Sequence, residues 1–517
     1  MMNILLVYPQ YPETFWSFKH ALKFISKKAA FPPLGLLTIA AYLPKEWTVK
    51  LIDMNCEKLK LEEIKKSDYV FISAMAVQRD SVKSVIELCN KLKTPVVAGG
   101  PLFTIEPDHF ENVDHLVLGE AEQIMPKLVE DMKKNTLKKC YKSENFPDIT
   151  KTRCPRWELL NFKWYHSMCI QYSRGCPYNC EFCEIAALNG RTPRSKTVTQ
   201  VLSELQSLYD FGWKGSVFFV DDNFIGKKTD LKREILPAII DWQKAHGYPF
   251  TFLTEVSIDL SDDDKLISLM VEAGFNRIFV GLESPDTESL KEAKKYQNVA
   301  HDLEKSIKKL QRSGLEVQGG FIVGFDNDTP NIFKRQFRFI QNNGIVTAMV
   351  GLLNAPRGSK LYKRMQVEGR LVGDFVGDNV DISLNFIPKM NVKTLISGYQ
   401  KLMSMLYSPV NYYKRLKTFL STYRVPHVMR YKKITFTDIK AFVRSIFVIG
   451  LFGKERFRYW KMLMWTLFKK RRHLPLVVSL IVSGYHFRKV SEKLLKKEIP
   501  RTMEKLLLSQ NTGVGGN

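Results

Sequence analysis

The stretch Ser173-Arg-Gly-Cys176-Pro-Tyr-Asn-Cys180-Glu-Phe-Cys183-Glu184 holds three of the chain's eight cysteines within eight residues. It directly follows residues 168–172, Met-Cys-Ile-Gln-Tyr, which read as a strand. The three thiols therefore leave one loop at the C-terminal end of a strand, where α/β folds keep their ligands. Spacings of four and three let three sulfurs take three corners of an iron–sulfur cube, leaving the fourth iron open to an outside ligand. Zinc is the bland alternative. A structural zinc site closes with four protein ligands, and no histidine or fourth cysteine follows at a fitting spacing, Cys169 lying within the strand.

Working downstream, strands at 168–172, 216–220, 251–255, 277–281, 317–323 and 348–353 alternate with helices such as 198–209, 263–273 and 299–312. Six such units predict a partial (β/α)6 barrel over residues 167–372 rather than a complete eightfold one. Upstream, residues 1–135 alternate strands at 3–8, 48–53, 69–73, 95–98 and 115–118 with helices. Those strands are apolar throughout, which predicts a parallel sheet covered on both faces and a doubly wound α/β domain. Residues 136–166, with Pro147, Pro155 and Trp157, read as a linker. Residues 373–517 read as a basic, mostly α-helical C-terminal domain.

The whole chain is 517 residues, 45% hydrophobic and 25% charged, a balance that excludes disordered, collagen-like and coiled-coil chains. It carries 78 Lys and Arg against 53 Asp and Glu, and residues 401–517 alone hold 25 against 5, so +20 of the net +25 lies there. Eight cysteines in so long a chain point to metal or redox use in a reducing compartment rather than a disulfide scaffold. No basic region precedes the opening apolar run, and no uncharged apolar stretch approaches the roughly 18 residues of a spanning helix. The expectation is a cytoplasmic protein, peripheral at the inner membrane face. The tail interleaves cations and aromatics, as in Arg456-Phe-Arg458-Tyr459-Trp460-Lys461 and Phe468-Lys-Lys-Arg-Arg472. That pattern suits a nucleic acid, an anionic membrane surface, or a helical cap with a merely basic exterior. The apolar runs 446–452 and 474–482 favour the membrane over nucleic acid.

The Cys-x-x-x-Cys-x-aromatic-Cys loop, with Phe182 in the aromatic slot, resembles the signature of the radical S-adenosylmethionine (SAM) enzymes. That resemblance implies a [4Fe-4S] cluster on Cys176, Cys180 and Cys183, which serve as both metal ligands and catalytic residues. It also implies SAM chelating the open iron and giving a 5′-deoxyadenosyl radical on reductive cleavage. Phe219-Val-Asp221-Asp222-Asn223-Phe224 stands where the family touches the amino-acid portion of SAM; the usual Gly-Gly-Glu is absent, and Asp221 and Asp222 take its place. Gly281-Leu-Glu283-Ser284 and Gly320-Phe-Ile-Val-Gly324-Phe-Asp326 resemble later family motifs. SAM contacts are thus expected from Phe182, Asp221, Asp222, Glu255, Glu283, Ser284, Gly320 and Gly324. Helix capping and tight turns are the alternative for each.

Tyr8-Pro9, Ala98-Gly99-Gly100-Pro101 and Leu118-Gly119-Glu120-Ala121-Glu122 resemble the cobalamin domain of the cobalamin-dependent (class B) radical SAM enzymes. The resemblance implies cobalamin against Pro9, Ser73, Gly99, Gly100, Gly119 and Glu120. An Asp-x-His-x-x-Gly loop is missing, so cobalt is expected without a protein imidazole; a module that binds nothing is the alternative. Tyr11-Pro-Glu-Thr-Phe-Trp-Ser-Phe and Gly190-Arg191-Thr-Pro-Arg194-Ser-Lys196 resemble the subgroup of hopanoid C-2 and bacteriochlorophyllide methylases. Arg191, Arg194 and Lys196 then either hold an anionic group or form a solvated basic loop. The implied activity is methyl transfer to an unactivated carbon of a lipophilic substrate, a polycyclic lipid or tetrapyrrole, with an external electron donor. Two alternatives stay open: the same cofactors used for ring closure or rearrangement, and an iron–sulfur nucleic-acid-binding or RNA-modifying protein.

Overall fold

The computed structural model describes residues 2–427 and 435–498. Of the expected C-terminal domain, residues 428–434 and 499–517 lie outside the described residues.

Six parallel strands build the first sheet: β1 (Asn3–Tyr8), β2 (Thr48–Asp53), β3 (Tyr69–Ser73), β4 (Val96–Gly99), β5 (His115–Leu118) and β6 (Cys140–Lys142). Their order is β2-β1-β3-β4-β5-β6. Central β1 buries Ile4 through Val7, because helices cover both of its faces. The order reverses between β1 and β3, and a doubly wound sheet opens its ligand crevice at that point. Strand β6 lies inside the segment read as a linker and pairs with β5. That segment also buries Trp157 and Tyr165 almost completely, so it is part of the packed body. Three-residue strands and single helical turns leave no periodicity in sequence, which is why it read as a linker.

The second sheet follows β7 (Ser167–Ile170). A short antiparallel pair, β8 (Ser173–Arg174) with β9 (Arg194–Ser195), closes the base of the cysteine loop. The sheet then runs through β10 (Gly215–Phe219), β11 (Phe250–Val256), β12 (Phe275–Glu283), β13 (Glu316–Val323) and β14 (Ala348–Leu352). Its order, β7-β10-β11-β12-β13-β14, is that of the chain, and every pair is parallel. This is the expected six-stranded partial barrel.

An open barrel has two edges, and each is blocked. At β7, the Ser167 amide donates to Ala30 O at 3.0 Å, bringing in a segment that follows β1. At β14, the Tyr407 hydroxyl donates to Ala348 O at 2.6 Å and Tyr399 to Val350 O at 3.0 Å. Those tyrosines sit on Val392–Tyr407, the first of five long helices among the described residues of the C-terminal region. Arg415, on the second, is fully buried beneath them. Its guanidinium donates to Gln341 Oε1 (2.7 Å), Leu406 O (2.9 Å) and Val346 O (3.2 Å), which compensates the burial of its charge. The C-terminal helices are thus a cap built onto the barrel. Among the described residues no helix is long and apolar enough to cross a membrane.

Candidate active site

Ion pairs join the loops at the C-terminal ends of the two sheets along one seam. Arg174, at the base of the cysteine loop, donates to Glu120 at 2.7 Å and pairs with Glu122 at 2.5 Å; both glutamates follow β5. Arg194, across the β8–β9 pair, donates to the same Glu120 carboxylate at 3.0 Å and to Pro147 O at 2.9 Å. Lys196 is buried against Glu204. Of the three cations expected to hold an anion or be solvated, two are therefore spent on internal pairs. Arg191 is exposed, with one contact to Pro177 O at 3.4 Å.

The loop itself is held by two neighbouring carboxylates at the end of β10. Asp221 is buried and accepts from the amides of Tyr172 (3.2 Å) and Ser173, and from the Ser173 hydroxyl at 2.6 Å. Asp222 accepts from the Gly175 amide at 2.7 Å and from Asn189 Nδ2 at 2.9 Å. Burial pushes Asp221 up to about 7, while its three donors pull the other way. Gly175 has φ +92°, and a Cβ there would lie 3.0 Å from both Asn189 O and Thr192 O. Only glycine fits that crossing.

Cys176, Cys180 and Cys183 are half-buried. Burial raises Cys176 and pushes Cys183 up to about 12, and each feels the charge of Lys295 as an opposing influence. Lys295 is bound to Glu283 at 2.6 Å and lies 5.8 Å from the Phe182 ring centroid. Gln297 Nε2 lies 3.7 Å from Cys180 Sγ. Lys295 and Gln297 follow β12, more than a hundred residues after the loop, and no motif marks them in sequence. Among the described residues no three His, Cys, Asp or Glu side chains converge on a single metal-ion position.

Around this loop the expected SAM residues stand on successive strand ends. Glu255, on β11, is pushed up to about 7 by burial, with the charge of Asp222 adding to it. Glu283 has a left-handed φ of 59°, unusual for a glutamate. Its neighbour Ser284 is buried and accepts from the Asp286 amide at 3.1 Å. Gly320, on β13, leaves room for Phe279, whose ring would lie 2.7 Å from a Cβ there. The Gly324 amide donates to Asp328 at 2.8 Å. Asp326, expected as the acidic tail of that motif, is held by Arg364 (2.9 Å) and Arg370 (2.7 Å). The acid that organises the turn is thus Asp328, two residues further on.

On the first sheet, the corresponding C-terminal ends are those of β1, β3, β4 and β5. Pro9 O accepts from Gln78 Nε2 at 2.5 Å. The Ser73 hydroxyl lies 4.0 Å from where a Cβ on Gly35 would stand and 2.6 Å from one on Gly100. Gly99 closes β4 beside Val117. A Cβ on Gly119 would point into open space. His20 lies on a following helix and is bound to Glu13 at 2.7 Å.

Comparisons with known proteins agree with this geometry. A B12 binding domain matches residues 25–129, the radical SAM superfamily matches 170–340, and a domain of unknown function matches 359–499. The fold resembles that of OxsB, a cobalamin-dependent SAM radical enzyme solved with aqua-cobalamin, with TM-score 0.63 at 15% identity, covering 99% of this chain and 84% of that one. The chain is 38% identical to an uncharacterized methyltransferase of Synechocystis sp., over 98% of this chain and 95% of that protein. It is 34% identical to hopanoid C-2 methylase of Rhodopseudomonas palustris, over 89% and 88%. The chain belongs to the cobalamin-dependent radical SAM C-methyltransferases. Its cofactors are a [4Fe-4S] cluster, SAM and cobalamin.

Proposed function

We propose that this enzyme methylates an unactivated carbon of a lipophilic, polycyclic lipid or tetrapyrrole substrate, with electrons from an external donor and in peripheral contact with an anionic membrane. The observation that carries the reading is the seam: the glycine-lined ends of the first sheet face the cysteine loop, tied to it by Glu120 between Arg174 and Arg194. Residues on either side of that seam would then hold the two cofactors. When bound, the cluster and SAM supply the hydrogen-abstracting radical, and cobalamin supplies the methyl group.

In this reading Cys176, Cys180 and Cys183 hold three irons, Gln297 donates toward Cys180, and Lys295 offsets the negative charge gathered by the thiolates. Glu255, Glu283, Ser284, Gly320 and Gly324 line the SAM side with Phe182. Asp221 and Asp222 hold the loop's amides rather than the cofactor. Residues 1–135, with β6 added, form the cobalamin unit and 167–372 the barrel. Pro9, Ser73, Gly99, Gly100 and Gly119 face cobalamin, and the open space beside Gly119 suits so wide a group. Glu120 contributes by clamping the seam.

The test is anaerobic turnover with methyl-deuterated SAM, a strong reductant, and polycyclic lipids or tetrapyrroles as candidate substrates. The expected product gains one deuterated methyl in place of hydrogen. Product without that gain, formed alongside 5′-deoxyadenosine, would mean ring closure or rearrangement instead. A second test addresses the cobalamin side. Gly100 has φ +90° and ψ −175°, a region essentially confined to glycine that costs other residues about 1–3 kcal/mol. Gly100→Ala is expected to lower cobalamin retained per chain while SAM cleavage persists; full retention would remove Gly100 from the cobalamin face.

A further inference from the structure

Helix Phe436–Ser445, the π-turn Ile446–Leu451 and helix Arg456–Lys469 form one unit. The Ser445 and Tyr459 hydroxyls lie 2.8 Å apart, and Trp460 Nε1 donates to Gly450 O at 3.0 Å. Its inner face is fully packed: Ser445, Ile449, Tyr459 and Thr466 have no exposed surface. Its outer face is apolar and uncovered among the described residues. Phe436 is 80% exposed, Phe447 54%, Phe452 82%, Phe457 77% and Phe468 76%. These five rings alone leave about 550–900 Å² of apolar surface in water, at roughly 150–250 Å² per ring. Even the lower figure nearly fills the range of about 300–600 Å² for the largest patch on an ordinary monomer.

The exposure follows helical spacing. Phe436, Ile439, Val443 and Phe447 recur at three- and four-residue steps, as do Phe457, Trp460, Met464 and Phe468. Each helix thus presents a continuous outward stripe. Cations surround the stripes: residues 436–472 hold ten Lys and Arg against two Asp and Glu. Of those two acids, Asp438 caps its own helix and Glu455 is buried against Arg488. Lys454, Arg456, Arg458, Lys461, Arg471 and Arg472 are exposed.

We infer that this helical pair is the docking surface for an anionic lipid bilayer, lying in the headgroup layer with its phenylalanines inserted and its cations on lipid phosphates. Charge complementarity selects this occupant. A second copy would bring the same unpaired cations against each other. A nucleic acid would match the cations but leave Ile439, Val443 and Met464 against a polar backbone.

The pair rests on helix Leu474–Leu494, which leads to the site. Phe487 on that helix stacks on Phe15 with ring centroids 4.1 Å apart. Phe15 adjoins Trp16, whose ring meets Phe279 of β12 edge-on at 5.5 Å. Docking there sets the barrel beside the bilayer that would carry a lipophilic substrate. The inference rests on the membrane part of the proposed function and is independent of methyl transfer.

The test is co-sedimentation of the full chain with vesicles of phosphatidylcholine, with and without phosphatidylglycerol, at low and high salt. Binding is expected to need the anionic lipid and to weaken with salt. The combined Phe447→Ser, Phe452→Ser and Phe457→Ser variant, and separately Lys454→Glu, Arg456→Glu and Arg458→Glu, are each expected to bind at least about tenfold less. Both should keep wild-type 5′-deoxyadenosine formation in detergent, which shows that they fold. No vesicle binding by the wild type, or equal binding by the phenylalanine variant, overturns the inference. So does a dimer that the phenylalanine variant dissolves, or retention on RNA with none on vesicles. Loss of methyl transfer in detergent by every protein would instead count against the proposed function and leave the docking result standing.

Discussion

A Cys180→Ala variant, reconstituted anaerobically with iron, sulfide and cobalamin, is expected to hold little iron and to form no detectable 5′-deoxyadenosine. Removing a partner outside the first ligand shell of a metal commonly costs about 10–100-fold in affinity or activity. Removing one of the three ligands proposed above is expected to exceed that, because the other five cysteines lie off the loop: Cys56, Cys89 and Cys169 are buried, and Cys140 and Cys154 are exposed. The matched control is Cys140→Ala, which is expected to match the wild type. Iron and sulfide content with quantified 5′-deoxyadenosine decide the matter. Normal iron content and SAM cleavage in Cys180→Ala would mean that the cluster is not on this loop.

The second large effect is expected at Asp221, which touches no cofactor in our reading. Asp221→Ala leaves the Tyr172 and Ser173 amides and the Ser173 hydroxyl without their acceptor, at about 1–3 kcal/mol for each buried group left unpaired. The loop that presents the thiols then loses its anchor, and activity and iron content are expected to fall by about 10–100-fold. Asp221→Asn separates geometry from mere size. Its one carbonyl oxygen can still accept from the Ser173 amide and hydroxyl, while its NH2 would face the Tyr172 amide donor. It is therefore expected to fall between the wild type and Asp221→Ala. Asp222→Asn is expected to be milder, since one oxygen still accepts from Gly175. A melting temperature within a few degrees of the wild type, together with lost iron, would place the effect in the loop. Unchanged iron and turnover in Asp221→Asn would sink the anchoring role.

The two aspartates also show where reading residues in order stops short. Asp221-Asp222 at a strand end resembles a cofactor-binding pair, and the strand end was placed correctly. Which way two adjacent carboxylates point depends on donors 47 to 49 residues earlier in the chain. Glu120 was likewise placed at the right edge of the right sheet, and the structure gives its oxygens to Arg174 and Arg194. The segment 136–166 hid a strand because three residues show no period. Lys295 and Gln297 had no signature, since their position beside Cys180 comes from a helix that follows β12.

Local chemistry settled the rest without any structure. Three cysteines within eight residues confine their sulfurs to one loop whatever the surroundings, so spacing alone brings the three thiols together. Buried parallel strands must be apolar on both faces, so the two sheets could be counted from runs of Val, Ile, Leu and Phe. Helical period in the tail showed that each helix has an apolar side. It could not show whether that side was covered, because covering is a property of distant segments and their packing. Only the tertiary structure put Tyr459 and Thr466 inward and left Phe452 and Phe457 in water. Only the tertiary structure closed two separate sheets onto one seam, because the ion pairs that join them span 54 and 74 residues of chain.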